Sequence, residues 1–211
     1  MVYNFANDPN SNTTTLGISH LPFTVKGANS LAGLSEINAS HLELENLSFP
    51  YCVSINSLFI NEESTGNTYN TADITVTLAH ELGHYLGLHH VFSETENENS
   101  CEDTDYCADT PTYNKKAYDM DCAYIEANDP DNFTFANLVN RENCLTGESF
   151  VSYNIMDYAI SYSDRFTPEQ RARIRHVLLY SPLIPGPKAG QEAGTRSAPS
   201  GLMKLPIRTA K

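Results

Sequence analysis

Residues 80–90 read His80-Glu81-Leu82-Gly83-His84-Tyr85-Leu86-Gly87-Leu88-His89-His90. From about Thr71 onward, Ile74, Leu78, Leu82, Tyr85 and Leu86 recur at three- and four-residue intervals. That is the period of an amphipathic helix, with Asp73 in its first turn, where a negative charge is favoured. Gly87 suits the left-handed residue that ends such a helix. At about 3.6 residues per turn, His80 and His84 fall one turn apart on one face, so both imidazoles can reach a single ion. Glu81 is rotated by about 100° from His80. It stands beside the ion, where a base takes a proton from a metal-bound water. Beyond Gly87 the chain turns back and offers His90 as a third ligand. Three neutral imidazoles leave a fourth tetrahedral position for water, which distinguishes a catalytic zinc from a closed structural one. His89 is out of phase and reads as a neighbour. His20, His41 and His176 have no supporting spacing, and surface or core roles are expected for them.

The rest of the chain sets the context. Its 211 residues are 40% hydrophobic and 10% aromatic, enough for one domain of ordinary size with some unpacked length. Thirteen Lys and Arg stand against 26 Asp and Glu, a net charge of −13. Such a chain repels phosphate backbones and anionic lipid, so nucleic acid is not an expected partner. No apolar run approaches the roughly 18 residues of a membrane helix, so insertion is not expected either. The start, Met1-Val-Tyr-Asn-Phe-Ala-Asn-Asp-Pro9, has neither the basic nor the apolar part of a signal peptide.

Four of the five cysteines, Cys101, Cys107, Cys122 and Cys144, fall in a stretch rich in Asp, Asn, Thr and Gly that can bury little apolar surface. Without zinc-ribbon spacing, they read as two disulfides and hence as a secreted protein in mature or trimmed form. Cys52 reads as a small hydrophobe in a strand. Strands are expected at 2–6 and 51–60, and 27–45 is small and polar before turning mildly helical. Residues 93–150, with about half of the acidic residues, read as irregular. A second helix opens at Thr167-Pro-Glu-Gln170, with a Thr N-cap, Pro at the first position and a Gln capping partner, and stops before Pro182. Residues 181–211 read as a linker or disordered tail. Asn12, Asn38, Asn46 and Asn132 sit in Asn-x-Ser/Thr sequons.

The motif at 80–90 has the form of the metzincin signature, which expects a Met-turn downstream. Asn154-Ile155-Met156-Asp157-Tyr158 is similar to that turn. Met-Asp-Tyr, then Phe166-Thr167-Pro168 and a helix, and Asp109-Thr110-Pro111 about twenty residues past the third histidine, resemble the pappalysin (cytophagalysin) family of metzincins. The resemblance covers roughly residues 1–180. It implies an α+β, metzincin-type catalytic domain: an upper subdomain to about residue 87, with a twisted mixed sheet and the active-site helix, and a lower, irregular, disulfide-linked subdomain over 88–180, with a C-terminal helix.

The resemblance also assigns roles. His80, His84 and His90 bind zinc, Glu81 is the general base and later the acid, and Met156 is an apolar floor under the metal. Tyr158 donates a hydrogen bond to the oxyanion. Asp105, Ala108 (through its carbonyl) and Thr110 match the positions of a calcium site, with Asp103 and Asp109 nearby. In the family a cysteine shortly after the Met-turn completes a second disulfide. Here Ser161 and Ser163 occupy that stretch and Cys107 is the newcomer, so the pairing implied is Cys101 with Cys144, as in the family, and Cys122 with Cys107. The segment after Met-Asp-Tyr shapes the S1′ pocket and can carry an Asp that selects basic side chains. Asp164 is the candidate, without a clean alignment. Family members are made as zymogens, and an autoinhibitory propeptide is an expected partner.

The expected activity is a secreted zinc endopeptidase acting on protein or peptide substrates, with substrate paired to an edge strand near 53–60. The alternatives are a catalytically idle zinc-stabilised extracellular binding module and an enzyme acting on a non-peptide amide or on peptidoglycan cross-links.

Overall fold

A computed structural model describes residues 1–3, 5, 15–38, 51–66, 69–158, 160–184 and 186. His41, Asn12, Asn46 and all but a few residues of the expected tail lie outside these. The fold is mixed α+β, with four α-helices and three small sheets among the described residues.

The central strand is β5 (Val53–Asn56), in a three-stranded mixed sheet. On one side it pairs in parallel with β1 (Val2–Tyr3), and on the other antiparallel with β2 (Gly17–Ser19). Ser54, Ile55 and Asn56 are all buried, as suits a strand with a neighbour on each side. This corrects the expectation of an edge strand near 53–60. The strand is shorter than its sequence pattern and ends where Asn56 accepts a hydrogen bond from the Leu58 amide (3.1 Å), opening a 3-10 turn over Ser57–Phe59. The edge strand beside the first helix is β2.

That helix, α1, spans Ile74–Tyr85. Asp73 lies just outside it as the N-cap, not in the first turn, its Oδ1 accepting from the amides of Thr75 (2.8 Å) and Val76 (3.3 Å). The C-terminus closes in a Schellman motif. The Leu88 amide donates to the Gly83 carbonyl (2.9 Å) and the Gly87 amide to that of His84 (2.8 Å). Gly87 has φ +89°, which a side chain would resist. The reversal delivers Leu88, Val91 and Phe92 into a core shared with Tyr113 and Met156.

The expectation that 93–150 is irregular is corrected. It contains α2 (Lys115–Asn128), the short α3 (Phe135–Leu138) and a hairpin of β6 (Asn140–Glu142) with β7 (Ser149–Val151). No residue of α2 is fully buried. Lys115, Ala117, Tyr118, Cys122 and Ile125 are half-buried and the rest of the helix is exposed, so there was too little apolar period to read. Cys101 and Cys144 form a disulfide that ties the loop after the third histidine to the strand region. Cys107 and Cys122 are not bonded, contrary to expectation. Cys107 is buried with its thiol on the Asp105 carbonyl, whereas Cys122 faces Tyr118 across one turn of α2.

The last helix, α4 (Pro168–Tyr180), has the expected capping box, with Gln170 N on Thr167 Oγ1 (3.2 Å) and Thr167 N on Gln170 Oε1 (3.0 Å). Its buried Arg173 donates from Nε to the Gly87 carbonyl and from a terminal nitrogen to that of Ala32, both at 2.6 Å. The bend that ends α1 is thereby fixed to α4. Residues 27–38 form turns and β4 (Glu36–Ile37), which pairs with β3 (Thr24–Val25).

Candidate metal centre

One turn of α1 separates His80 from His84, and the Gly87 reversal returns His90 to them. The three rings converge: His84 Nε2 lies 3.1 Å from Nε2 of His80 and 3.1 Å from Nε2 of His90. Each outer nitrogen has an acceptor. His80 Nδ1 faces the Ile155 carbonyl (2.7 Å), His84 Nδ1 the Leu88 carbonyl (2.9 Å), and His90 Nδ1 the carboxylate of Glu94. Those oxygens can only accept, so each Nδ1 carries the proton and each Nε2 presents a lone pair. Three lone pairs facing one another at this distance repel unless a cation sits among them. Burial and the neighbouring rings work against protonation as an alternative, pushing His80 down to about 4 and His84 to about 3. The spacing and donor set fit a tetrahedral zinc, whose ligand nitrogens stand at about 2.0–2.1 Å from the ion. Among the described residues this is the single group of three or more His, Cys, Asp or Glu side chains whose ligand atoms converge as a metal needs.

Glu81 is 8% exposed, and burial lifts its carboxyl to about 7. The backbone of Gly17 on β2 presses against it so closely that a Cβ there would lie 2.6 Å from Glu81 Cγ. The acid is thus walled on one side by the edge strand. Tyr158 packs against the histidines, its ring centroid 4.6 Å from that of His90 and 5.9 Å from that of His80. Burial, then the charges of Glu94 and Glu81, raise its phenol pKa and keep it a proton donor. Ser19, Leu21, His84, His89, His90, Glu94 and Thr104 line a cleft that opens onto the histidines.

Met156, against Gly83 of α1, is fully buried in a turn held from several sides. Asn154 Oδ1 accepts from the Met156 amide (2.9 Å), and its Nδ2 donates to Gln170 Oε1 (2.9 Å), tying the turn to the α4 cap. Asp157 accepts from Tyr113 Oη (2.5 Å), from the Tyr158 amide (2.7 Å) and from Ser152, with a guanidinium nitrogen of Arg141 3.6 Å away.

A family model for peptidase M43, described as pregnancy-associated plasma protein-A, matches residues 51–179. The chain belongs to the peptidase M43 family. The matched region runs from β5 through α1 and the Met-turn to the end of α4. Relatives of this M43 chain include proteins named extracellular metalloprotease from Arthroderma benhamiae and Trichophyton verrucosum. Each is 36% identical over 99 residues, covering 46% of this chain and 29% of the relative. A protein of the same name from Arthroderma otae matches to the same extent. The aligned part is thus under a third of those relatives' length. No solved structure is a significant match.

Other expected site residues of this M43 domain lie apart from the histidines. Asp105 and Thr110 are both buried in the loop before Pro111, the Asp105 carboxyl facing the Thr110 and Asp103 side chains, and among the described residues neither Asp105 Oδ2 nor Thr110 Oγ1 makes a hydrogen bond of good geometry. Burial lifts the Asp105 carboxyl to about 7. Ala108 is held at the same loop by its amide on Glu169 (2.7 Å). Asp164 is exposed and engaged by Arg165 through two contacts of 2.6 and 2.9 Å. His89 packs edge-on to Tyr106, and His176 reaches the Asn29 carbonyl. Sequence reading missed Glu94 and the Arg141–Asp157 pair. Neither has a motif, since Glu94 follows its partner in a loop and Arg141 meets Asp157 only through the fold.

Proposed function

We propose that this chain is the catalytic domain of an extracellular zinc endopeptidase in which Glu81 shuttles the proton of hydrolysis. The observation that carries the reading is the convergence of the Nε2 atoms of His80, His84 and His90 beside the buried carboxyl of Glu81, which follows His80 on α1. Zinc held by His80, His84 and His90 would polarise the scissile carbonyl and make water acidic enough to ionise near neutral pH. Glu81, with its carboxyl near neutrality, is matched to take the proton from the attacking water and hand it to the leaving amide nitrogen. Tyr158, kept as a phenol, donates to the oxygen that gains negative charge. Met156 supplies a dry floor that keeps the rings in place.

Substrate lies extended along β2, which among the described residues pairs only with β5 and whose Ser19, followed by Leu21, lines the cleft. Arg165 already occupies Asp164, which argues against strong selection of basic side chains. The buried oxygens of Asp105 and Thr110, without a hydrogen bond of good geometry, support a calcium ion held there with the Ala108 carbonyl. An extracellular location is supported by the disulfide and by the relatives, which are named extracellular metalloproteases. No helix among the described residues is long and apolar enough to cross a membrane.

The test is Glu81→Ala. It should retain zinc and lose casein cleavage by about 100-fold or more. Cleavage at the parent rate contradicts the proposal.

A further inference from the structure

Four residues beyond the third histidine, Glu94 turns its carboxylate back onto His90, accepting a hydrogen bond from Nδ1. His80 and His84 are oriented by main-chain carbonyls, those of Ile155 and Leu88. Of the three rings, His90 alone is oriented by a side chain. It is also the one that α1 does not carry, since it follows the Gly87 reversal. Phe92 stacks on it at 4.8 Å with planes 11° apart, which fixes the plane of the ring but not which nitrogen bears the proton. Without an acceptor at Nδ1, the tautomer with a proton on Nε2 becomes accessible, and that proton would point at the metal position.

The backbone that presents Glu94 is itself held. Ser93 is fully buried; its amide donates to the Tyr113 carbonyl (2.8 Å) and its carbonyl accepts from the Lys115 amide (3.2 Å). Its hydroxyl accepts from the Glu102 amide (3.2 Å). The carboxylate is therefore delivered from a fixed point rather than from a free loop.

We infer that Glu94 is a positioning residue of the metal centre, holding His90 in the tautomer and rotation that present Nε2 to zinc. The inference rests on the reading that the three histidines bind zinc.

Competition between the protein and a chromophoric zinc chelator tests it, with zinc affinity as the readout for the parent, Glu94→Ala, Glu94→Gln and Glu96→Ala. Glu96 is the control: its loss removes the same charge from the same loop, and among the described residues its carboxylate pairs only with Lys116, at 3.5 Å. Glu94→Ala should weaken zinc about 10- to 100-fold. Glu94→Gln keeps an acceptor oxygen and should recover most of the loss, and Glu96→Ala should match the parent. Glu94→Ala binding zinc within about twofold of the parent overturns the inference while leaving the metal site standing. Equal weakening by Glu94→Gln, or by Glu96→Ala, overturns it in favour of charge alone. A parent that takes up no zinc fails the metal reading first, and this inference with it.

Discussion

Met156 fills the space that a side chain at Gly83 would need: a Cβ built there would stand 2.3 Å from Met156 Sδ. The glycine between Glu81 and His84 is therefore the point at which the Met-turn closes onto α1. Met156 is fully buried, in one core with Leu88, Val91, Phe92 and Tyr113. The sulfur cannot retreat without disturbing that core.

Gly83→Ala should consequently destabilise the fold by about 1–3 kcal/mol despite alanine's better helix propensity. Urea unfolding of the single variants and of Gly83→Ala/Met156→Ala measures the coupling. Shortening Met156 makes room, so the double variant should lose clearly less than the sum of the two. Additive losses would show that the two residues do not press on each other.

Asp157 and Arg141 are buried completely at their side chains and face each other at 3.6 Å. Arg141 also spreads its plane 3.8 Å from the ring of Tyr118 and donates to the Leu138 and Ile160 carbonyls. Arg141→Met strands a carboxylate under the Met-turn and should cost about 3–5 kcal/mol. Arg141→Met/Asp157→Asn should cost less than Arg141→Met alone, because no charge is left unpaired. A double variant as unstable as the sum of the singles would contradict this.

What could be read from the sequence tracks how local the cause is. The limits of α4 follow from neighbours in the chain, Thr167, Pro168 and Gln170, and α1 from an apolar period ended by Gly87. The three histidines follow from helical pitch and one bend. Edge or centre is a different matter for β5, because it depends on β1, a partner about fifty residues away. The exposed face of α2 left no apolar repeat, and only its Asn114 cap, accepting from Ala117 (2.8 Å), marks its start. The partner of Cys107 could not be read either, since the fold turns its thiol inward. Glu94 escaped because a hydrogen bond made across a loop has no period.

The Asp105 loop carries its own prediction. With Oδ2 of Asp105 and Oγ1 of Thr110 buried and without a hydrogen bond of good geometry, the folded chain should gain from an oxygen-seeking cation. Adding calcium to the zinc-loaded protein should raise its unfolding midpoint, the gain reaching about 2.7 kcal/mol at a hundred times the dissociation constant. Asp105→Asn should abolish the calcium response and leave the zinc content unchanged. An unaltered midpoint in the parent at millimolar calcium contradicts the site.

The central claim is that His80, His84 and His90 close on one zinc ion. An anomalous difference map from crystals of the zinc-loaded protein, recorded on both sides of the zinc edge, tests it directly. A single peak at about 2.0–2.1 Å from all three Nε2 atoms, present only above the edge, is the predicted result. No peak there, or a peak reached by fewer than three of these nitrogens, would contradict it.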